Sequence, residues 1–538
     1  MTGMTGMEGF AEATGSKDEP AAPARPARRR AANRRAQQDG PAAPAIQQRP
    51  HAILPLLDRP TEPLDEEQVA AVDDAAMRVL EDVGIEFLHE DALAHLRAAG
   101  CTVEDGGTNV RMDRGFVREM VARAPAEFTI TPRNPAHAVP VGGRYQAYVN
   151  VSSPPNCMDL DRGRRPGTQE SYRDLLKLSQ YFNCIHILGG YPVEPVDIHA
   201  SVRHLHCLRD KLMLTDKVMH GYALGTERIE DAMEMVRLAY GLSHEEFEAS
   251  PRMYTNINSS SPLKHDWPML DGAMRLAKRG QPVIITPFTL AGAMAPVTIA
   301  GAVVQQTAEC LAAVALLEWI APGAPCVMGT FTNNTDMRSG APAFGTPEYV
   351  RATQMSGQMA RFYGLPMRAS NACAANVADG QAVWESMNSL WACQTAGANI
   401  VYHAAGWLEG GLCASYEKFV MDCEVLQQFQ AMQEPIDTSP DALAVDAIAE
   451  VGPNGHFFGA AHTQARYKDA FYGPFLSDWR NYEAWEAAGA VQTPERANAL
   501  WKKILAEFEP PALEPDRAEA LNAFVERRIT EGGAPTDF

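Results

Sequence analysis

No two of the ten cysteines, Cys101, Cys157, Cys184, Cys207, Cys310, Cys326, Cys373, Cys393, Cys413 and Cys423, stand in a C-x-x-C spacing. That removes the usual paired-thiolate zinc and redox motifs, and it reads as reduced thiols used as small apolar residues in a cytoplasmic protein. An H-E-x-x-H helix is missing as well, so no metal is expected. Basic charge is in deficit: 47 Lys and Arg against 67 Asp and Glu leave a net −20. That is the wrong sign for gripping phosphate backbones, and no nucleic acid is expected as a partner. Long apolar runs are also lacking. The nearest, 299–320, carries Gln305, Gln306, Glu309 and Glu318 and fits a buried helix, so no membrane is expected.

What remains is an ordinary globular balance, 46% hydrophobic and 21% charged over 538 residues, enough for one large core plus additions. Residues 1–53 are rich in Ala, Pro and Arg, include Arg28-Arg29-Arg30 and Arg34-Arg35, and are expected to form a disordered basic arm. Residues 54–144 read as N-terminal helices and a small β element. One amphipathic helix opens at Leu64-Asp65-Glu66-Glu67, a second covers 90–99, and short apolar runs follow at 128–130 and 138–140.

From residue 145 to 430 the pattern becomes regular. Eight short apolar runs, 147–151, 185–188, 218–222, 253–257, 283–286, 326–330, 367–370 and 400–403, alternate with helical stretches. Runs of this kind suit parallel strands covered on both faces, and eight of them close a (β/α)8 TIM barrel. An open doubly wound sheet would offer a glycine-rich phosphate turn after its first strand, and none is present. Residues 431–538 are expected to be a mostly helical C-terminal extension, broken at Pro510-Pro511.

Function in such a barrel sits at the C-terminal ends of the strands. Reading just past each run yields Tyr191, His220, Tyr222, Asn256, Phe288, Phe331, Asn333, Asn371, Tyr402, His403, Trp407 and Glu409. The set is neutral and aromatic, which suits a quaternary ammonium or a zwitterion better than a phosphate or a metal. His220, Asn256, Asn333 and His403 are the candidate catalytic residues. Tyr191, Tyr222, Phe288, Phe331, Asn371, Tyr402, Trp407 and Glu409 are the candidate substrate-binding residues, with Glu409 placed to balance a cation. His204-Leu205-His206-Cys207 reads as a solvated helical face. Lys217 begins its strand and Lys264 lies beyond one, so neither suits Schiff-base chemistry.

Three patches carry a resemblance. Ala295-Pro296-Val297-Thr298-Ile299-Ala300-Gly301 leads into Gln306-Thr307-Ala308-Glu309; Asp336-Met337-Arg338-Ser339-Gly340-Ala341-Pro342-Ala343-Phe344-Gly345-Thr346-Pro347-Glu348 follows; then come residues 452–456 with His462-Thr463. In this order they resemble the trimethylamine methyltransferase family, over about residues 64–506. The resemblance implies a TIM barrel that demethylates an amine and passes the methyl group to the cobalt of a corrinoid held by a separate cognate protein, with no cofactor tightly bound to this chain. Where the archaeal members carry pyrrolysine, this sequence reads Gly329-Thr330-Phe331-Thr332-Asn333-Asn334, which is similar to the non-pyrrolysine, glycine betaine-like branch. On that likeness Asn256, Asn333 or His403 would hold a substrate carboxylate, and a homo-oligomer is expected. Two other readings compete: a barrel lyase or decarboxylase with His220 or His403 as acid or base, and a non-catalytic betaine-binding protein.

Overall fold

The computed structural model describes residues 45–536; the basic stretch 1–44 lies outside the described residues. The eight short runs do form strands. Met219–His220, Met253–Ile257, Val283–Ile285, Cys326–Gly329, Met367–Ser370, Ile400–Tyr402 and Ala147–Tyr148 pair in that order, every pair parallel. Ile187 bridges in parallel to Val149 on one side and Val218 on the other. That bridge supplies the eighth strand, and the cylinder closes.

Alternation divides each strand between two cores. Ala147, Val149, Ile187, Val218, Tyr254, Ile284, Val327, Ile400 and Tyr402 fill the cylinder, while Met219, Met253, Ile285, Met328, Met367 and Val401 pack outward on the helices. The antiparallel hairpin of Glu127–Ile130 and Val139–Gly142 puts Ile130, Val139 and Val141 into the inner core. It plugs the N-terminal end of the barrel. Only the C-terminal end is left for a ligand.

Helix Ile299–Ile320 is long and apolar enough to cross a membrane, yet it is mostly buried against Glu66–Arg78, Arg114–Val121 and Pro347–Phe362. Its polar residues fasten the loops above. Glu309 accepts from Ser261 Oγ at 2.6 Å and from the Leu263 amide at 2.8 Å, and Gln306 accepts from Thr330 Oγ1 at 2.6 Å. The first of the three sequence patches is thus the brace of the strand-four and strand-six loops.

Three expectations need correction. Residues 45–53, assigned to the disordered arm, are packed: Ile46 is buried, Gln48 bonds to Tyr181 and Asn183, and the Arg49 amide donates to Gln427. Extended chain held by lateral hydrogen bonds shows no hydrophobic period and so leaves no mark in the residue pattern. Helix Arg114–Val121 stands where only β structure was expected; Asp113 caps it by accepting from the Gly115 and Phe116 amides. The His204 cluster is not solvated. His204 is buried, 2.8 Å from Asp231, because the last helix, Pro515–Thr530, covers that face and brings Arg528 to the same carboxylate. Helix Thr493–Glu507 packs on Tyr416–Ala431 and Gln169–Tyr181, and Ala45–Phe538 forms one compact unit.

Candidate active site

Buried polar atoms are normally hydrogen-bonded, but nine at the open end of the barrel have no partner. They are Asn150 Nδ2, Ser152 Oγ, His220 Nδ1, both amide atoms of Asn333, Arg368 Nε, Ser370 Oγ, Asn371 Oδ1 and Trp407 Nε1. All stand at strand ends or in the loops that follow. Two small sheets raise the rim around them, one joining Leu290–Ala291, Asn333–Thr335 and Pro342–Ala343, the other joining Trp407–Leu408, Cys413–Ser415, Asn156–Asp159 and Gly163–Pro166.

An arc of rings lines the same space. Tyr191 lies 4.5 Å from Tyr222 (centroid to centroid), Tyr222 lies 4.8 Å from His220, and His220 lies 5.3 Å from Tyr254. Tyr402 continues the arc to His403, which sits 3.9 Å from Trp407. Phe331 then touches Trp407 at 6.1 Å, Phe344 at 5.5 Å and Phe288 at 5.2 Å. Close approach is built in: a Cβ on Gly190 would lie 2.1 Å from Tyr222 Oη, whose hydroxyl shares a 2.6 Å bond with Ser153 and accepts from the Tyr191 amide. Ser153 and His403 hold positive φ of 68° and 55°, strain of the kind that gathers where a site needs a fixed side-chain direction.

A charged group in the site is Arg368, on the inward face of the seventh strand. It is buried, its guanidinium carbon lies 4.4 Å from the Tyr402 ring centroid and 5.5 Å from that of Phe331, and Nη1 donates to the Thr330 carbonyl at 3.1 Å. No carboxylate among the described residues pairs with it, and burial pulls its pKa below the ordinary value. Arginine nevertheless stays protonated, so the open end of the barrel holds a buried cation with no carboxylate partner among the described residues. Leaving a buried ion unpaired costs several kcal/mol, a cost that an anionic ligand group would offset.

The sequence-predicted residues divide. Tyr191, His220, Tyr222, Phe288, Phe331, Tyr402, His403 and Trp407 form the arc, and Asn333 and Asn371 present unpaired amide atoms. Two depart from expectation. Asn256 is engaged on both sides, accepting from Thr286 Oγ1 at 2.7 Å and donating one N–H to Asn258 at 3.2 Å; its oxygen is occupied and its contacts stiffen the wall. Glu409 takes a two-oxygen contact from Arg164 Nε at 2.8 and 2.9 Å, so its charge is already balanced. Arg368 and Phe344 were missed. A lone arginine at inward parity in an otherwise buried strand was the available signal for the first, and the Pro342-Ala343-Phe344 patch for the second.

Both mouth histidines are held neutral. Burial pushes His220 and His403 well below the ordinary imidazole value, helped by Lys211 and Arg368 respectively. His220 Nε2 accepts from the Asn256 amide and His403 Nδ1 from the Ser152 amide, so each carries its proton on the other nitrogen. His186, at the plugged end, is depressed in the same way by burial. Unfolded, each histidine titrates near 6.5, so below about that pH the unfolded chain takes up protons that the native chain refuses. Stability is full above the unfolded value and falls with acidification, by up to about 1.4 kcal/mol per pH unit for each histidine. Thermal unfolding is expected to give a steady drop in Tm from pH 6.5 to 5; a level Tm over that range would contradict neutral burial.

A closed barrel whose one open end gathers rings, neutral amides and the buried guanidinium of Arg368 presents a TIM-barrel enzyme site. The chain belongs to the trimethylamine methyltransferase (MTTB) family, whose model matches residues 28–533. It is 38% identical to a glycine betaine methyltransferase of Desulfitobacterium hafniense, over 87% of this chain and 98% of that protein. It is 28% identical to a proline betaine:corrinoid methyltransferase of Eubacterium limosum, covering 84% and 94%. A trimethylamine methyltransferase of Desulfitobacterium hafniense matches at 26%, covering 87% and 94%.

Proposed function

We propose that this enzyme moves a methyl group from a small carboxylated quaternary amine of the glycine betaine kind to the Co(I) of a corrinoid carried by a separate cognate protein. The observation that carries the reading is Arg368. Glycine betaine and proline betaine, for which two relatives are named, both bear a carboxylate; trimethylamine and choline do not. The unpaired guanidinium supplies the matching charge, with Asn333 and Asn371 as neutral hydrogen-bonding neighbours.

Arg368 also sets the orientation. Like charges repel, so the substrate ammonium is held away from the guanidinium and toward the rim, among the faces of Phe331, Phe344 and Trp407, where each ring contributes roughly 0.5–2 kcal/mol. The transferable methyl then faces the mouth. The reduced corrinoid supplies the nucleophile when its protein is docked. The C–N bond breaks with its electron pair staying on nitrogen, so the leaving amine departs neutral and needs no general acid. His220 and His403 fit that chemistry as uncharged wall and hydrogen-bond groups, because a protonated imidazole there would repel the substrate. The task of the chain is alignment and exclusion of water. A lyase reading would need one of them to shuttle a proton, which their depressed pKa values disfavour. Free thiols throughout, with no disulfide among the described residues, support a cytoplasmic setting.

The test is a spectroscopic screen for methyl-Co(III) formation from free cob(I)alamin. Glycine betaine, proline betaine and carnitine are the carboxylated candidates, against choline and trimethylamine. A discrimination of about 100-fold or more against choline is expected, since the pocket would otherwise keep its cation unpaired. Equal rates with choline would overturn the reading.

A further inference from the structure

Helix Ala200–Leu214 buries a lysine behind the strand-two loop that the chemistry proposed above does not use. Lys211 is 2% exposed, and its Nζ donates to the Gly189 carbonyl at 2.8 Å and to the Gly190 carbonyl at 3.1 Å. Lysines are almost never fully buried without a carboxylate partner. Among the described residues no carboxylate pairs with this one; Asp210, its neighbour on the helix, is taken by Arg173 and Gln169. Cys207, one turn earlier, and His220 of strand three are the titratable groups beside it, and burial keeps both uncharged. Burial also pushes the Lys211 ammonium down to about 7. A neutral amine has two N–H donors, one for each carbonyl.

Those carbonyls belong to the turn on which one side of the mouth hangs. The Gly189 amide donates to Asn150 Oδ1 at 2.7 Å, which leaves the unpaired Asn150 Nδ2 as a free donor. A Cβ on Gly189 would lie 1.9 Å from Ser152 Oγ and one on Gly190 2.1 Å from Tyr222 Oη, so the turn is pressed directly against two groups of the site. Tyr191 follows, its amide donating to Tyr222 Oη at 2.8 Å and its carbonyl accepting from the Ser153 amide. Strands one, two and three thus meet at Gly189-Gly190, and Lys211 holds that turn from the helix layer.

We propose that Lys211 is a positioning residue of the substrate pocket: by fixing the Gly189-Gly190 turn, it aims the Tyr191 and Tyr222 rings and the free Asn150 donor at the substrate. The role rests on the carboxylated-amine reading above, and Lys211 itself touches no substrate. A buried carbonyl deprived of its donor admits water or moves toward another donor. Either response shifts the turn, and with it three groups at once, because site residues keep their geometry only as well as the residues behind them.

The experiment follows methyl-Co(III) formation from free cob(I)alamin and glycine betaine in Lys211→Met, Tyr222→Phe and the double variant. Lys211→Met is expected to raise KM about 10-fold or more with kcat within about threefold, since the groups it aims act in binding. The double variant is expected to lose about as much as the worse single variant, because both act through one turn. An unchanged KM in Lys211→Met, or losses that multiply in the double variant, overturns the proposal. Hydrogen exchange reads the turn without substrate. The Gly189, Tyr191 and Ser153 amides are expected to exchange about 100-fold faster in Lys211→Met while those of Met253–Ile257 and Val283–Ile285 stay unchanged. Equal acceleration throughout would mark a merely structural lysine and overturn it too. If wild type forms no methyl-Co(III) from glycine betaine, the substrate reading fails and the exchange measurement alone decides the role of Lys211. Should Lys211→Met not fold, Gly190→Ala carries the test with the lysine intact, since its Cβ drives the turn off Tyr222; wild-type KM and wild-type exchange in that variant overturn the proposal.

Discussion

Arg368→Met is expected to lower kcat/KM for glycine betaine by about 100- to 1,000-fold, the effect of removing a buried charge-assisted pair with a carboxylate. The same substitution is expected to make the ligand-free protein more stable, by about 1–3 kcal/mol, because methionine fills similar space without an unpaired buried ion. These opposite signs distinguish a ligand anchor from a structural arginine. A structural residue would lose stability when replaced, whereas the anchor loses activity and gains stability. Calorimetry adds a third sign: saturating glycine betaine should raise the Tm of wild type and leave that of the variant unmoved. A variant that binds betaine as tightly as wild type would remove the carboxylate contact from the mechanism.

Trp407→Leu is expected to raise KM for the same substrate about 10- to 100-fold with a smaller change in kcat, since the ring binds the ammonium in ground and transition states alike. Leucine keeps apolar volume, which limits the loss of packing against Phe331, Phe344 and His403. Phe331→Leu should act in the same direction, and more mildly, because one face of that ring is already turned to Arg368. If KM for glycine betaine stays unchanged across Tyr191, Phe331 and Trp407 substitutions, the ring-lined pocket is not where the ammonium sits.

Much of this was legible before any coordinates. Each of the eight apolar runs contains one of the eight strands, because strands buried on both faces must be continuously apolar. Strand ends located the arc of rings through the C-terminal rule alone. Other features left no such trace. Asn256 looked unengaged until Thr286 and Asn258 were found against its oxygen and one N–H, and Glu409 looked like a counter-charge until Arg164 was found against it. Those partners are 30, 2 and 245 positions away, and a linear pattern records hydrophobic period, not which side chains meet.

The sequence by itself determined the barrel, the aromatic residues at its strand ends and the mostly helical tail, because each depends on local periodicity and burial. Only the tertiary structure decided that Arg368 stands without a counter-ion, that both mouth histidines are neutral, and that the last helix covers the His204 face. All three depend on what surrounds a group in space: desolvation and pairing are properties of neighbours, and the chain supplies those neighbours from positions scattered along its length.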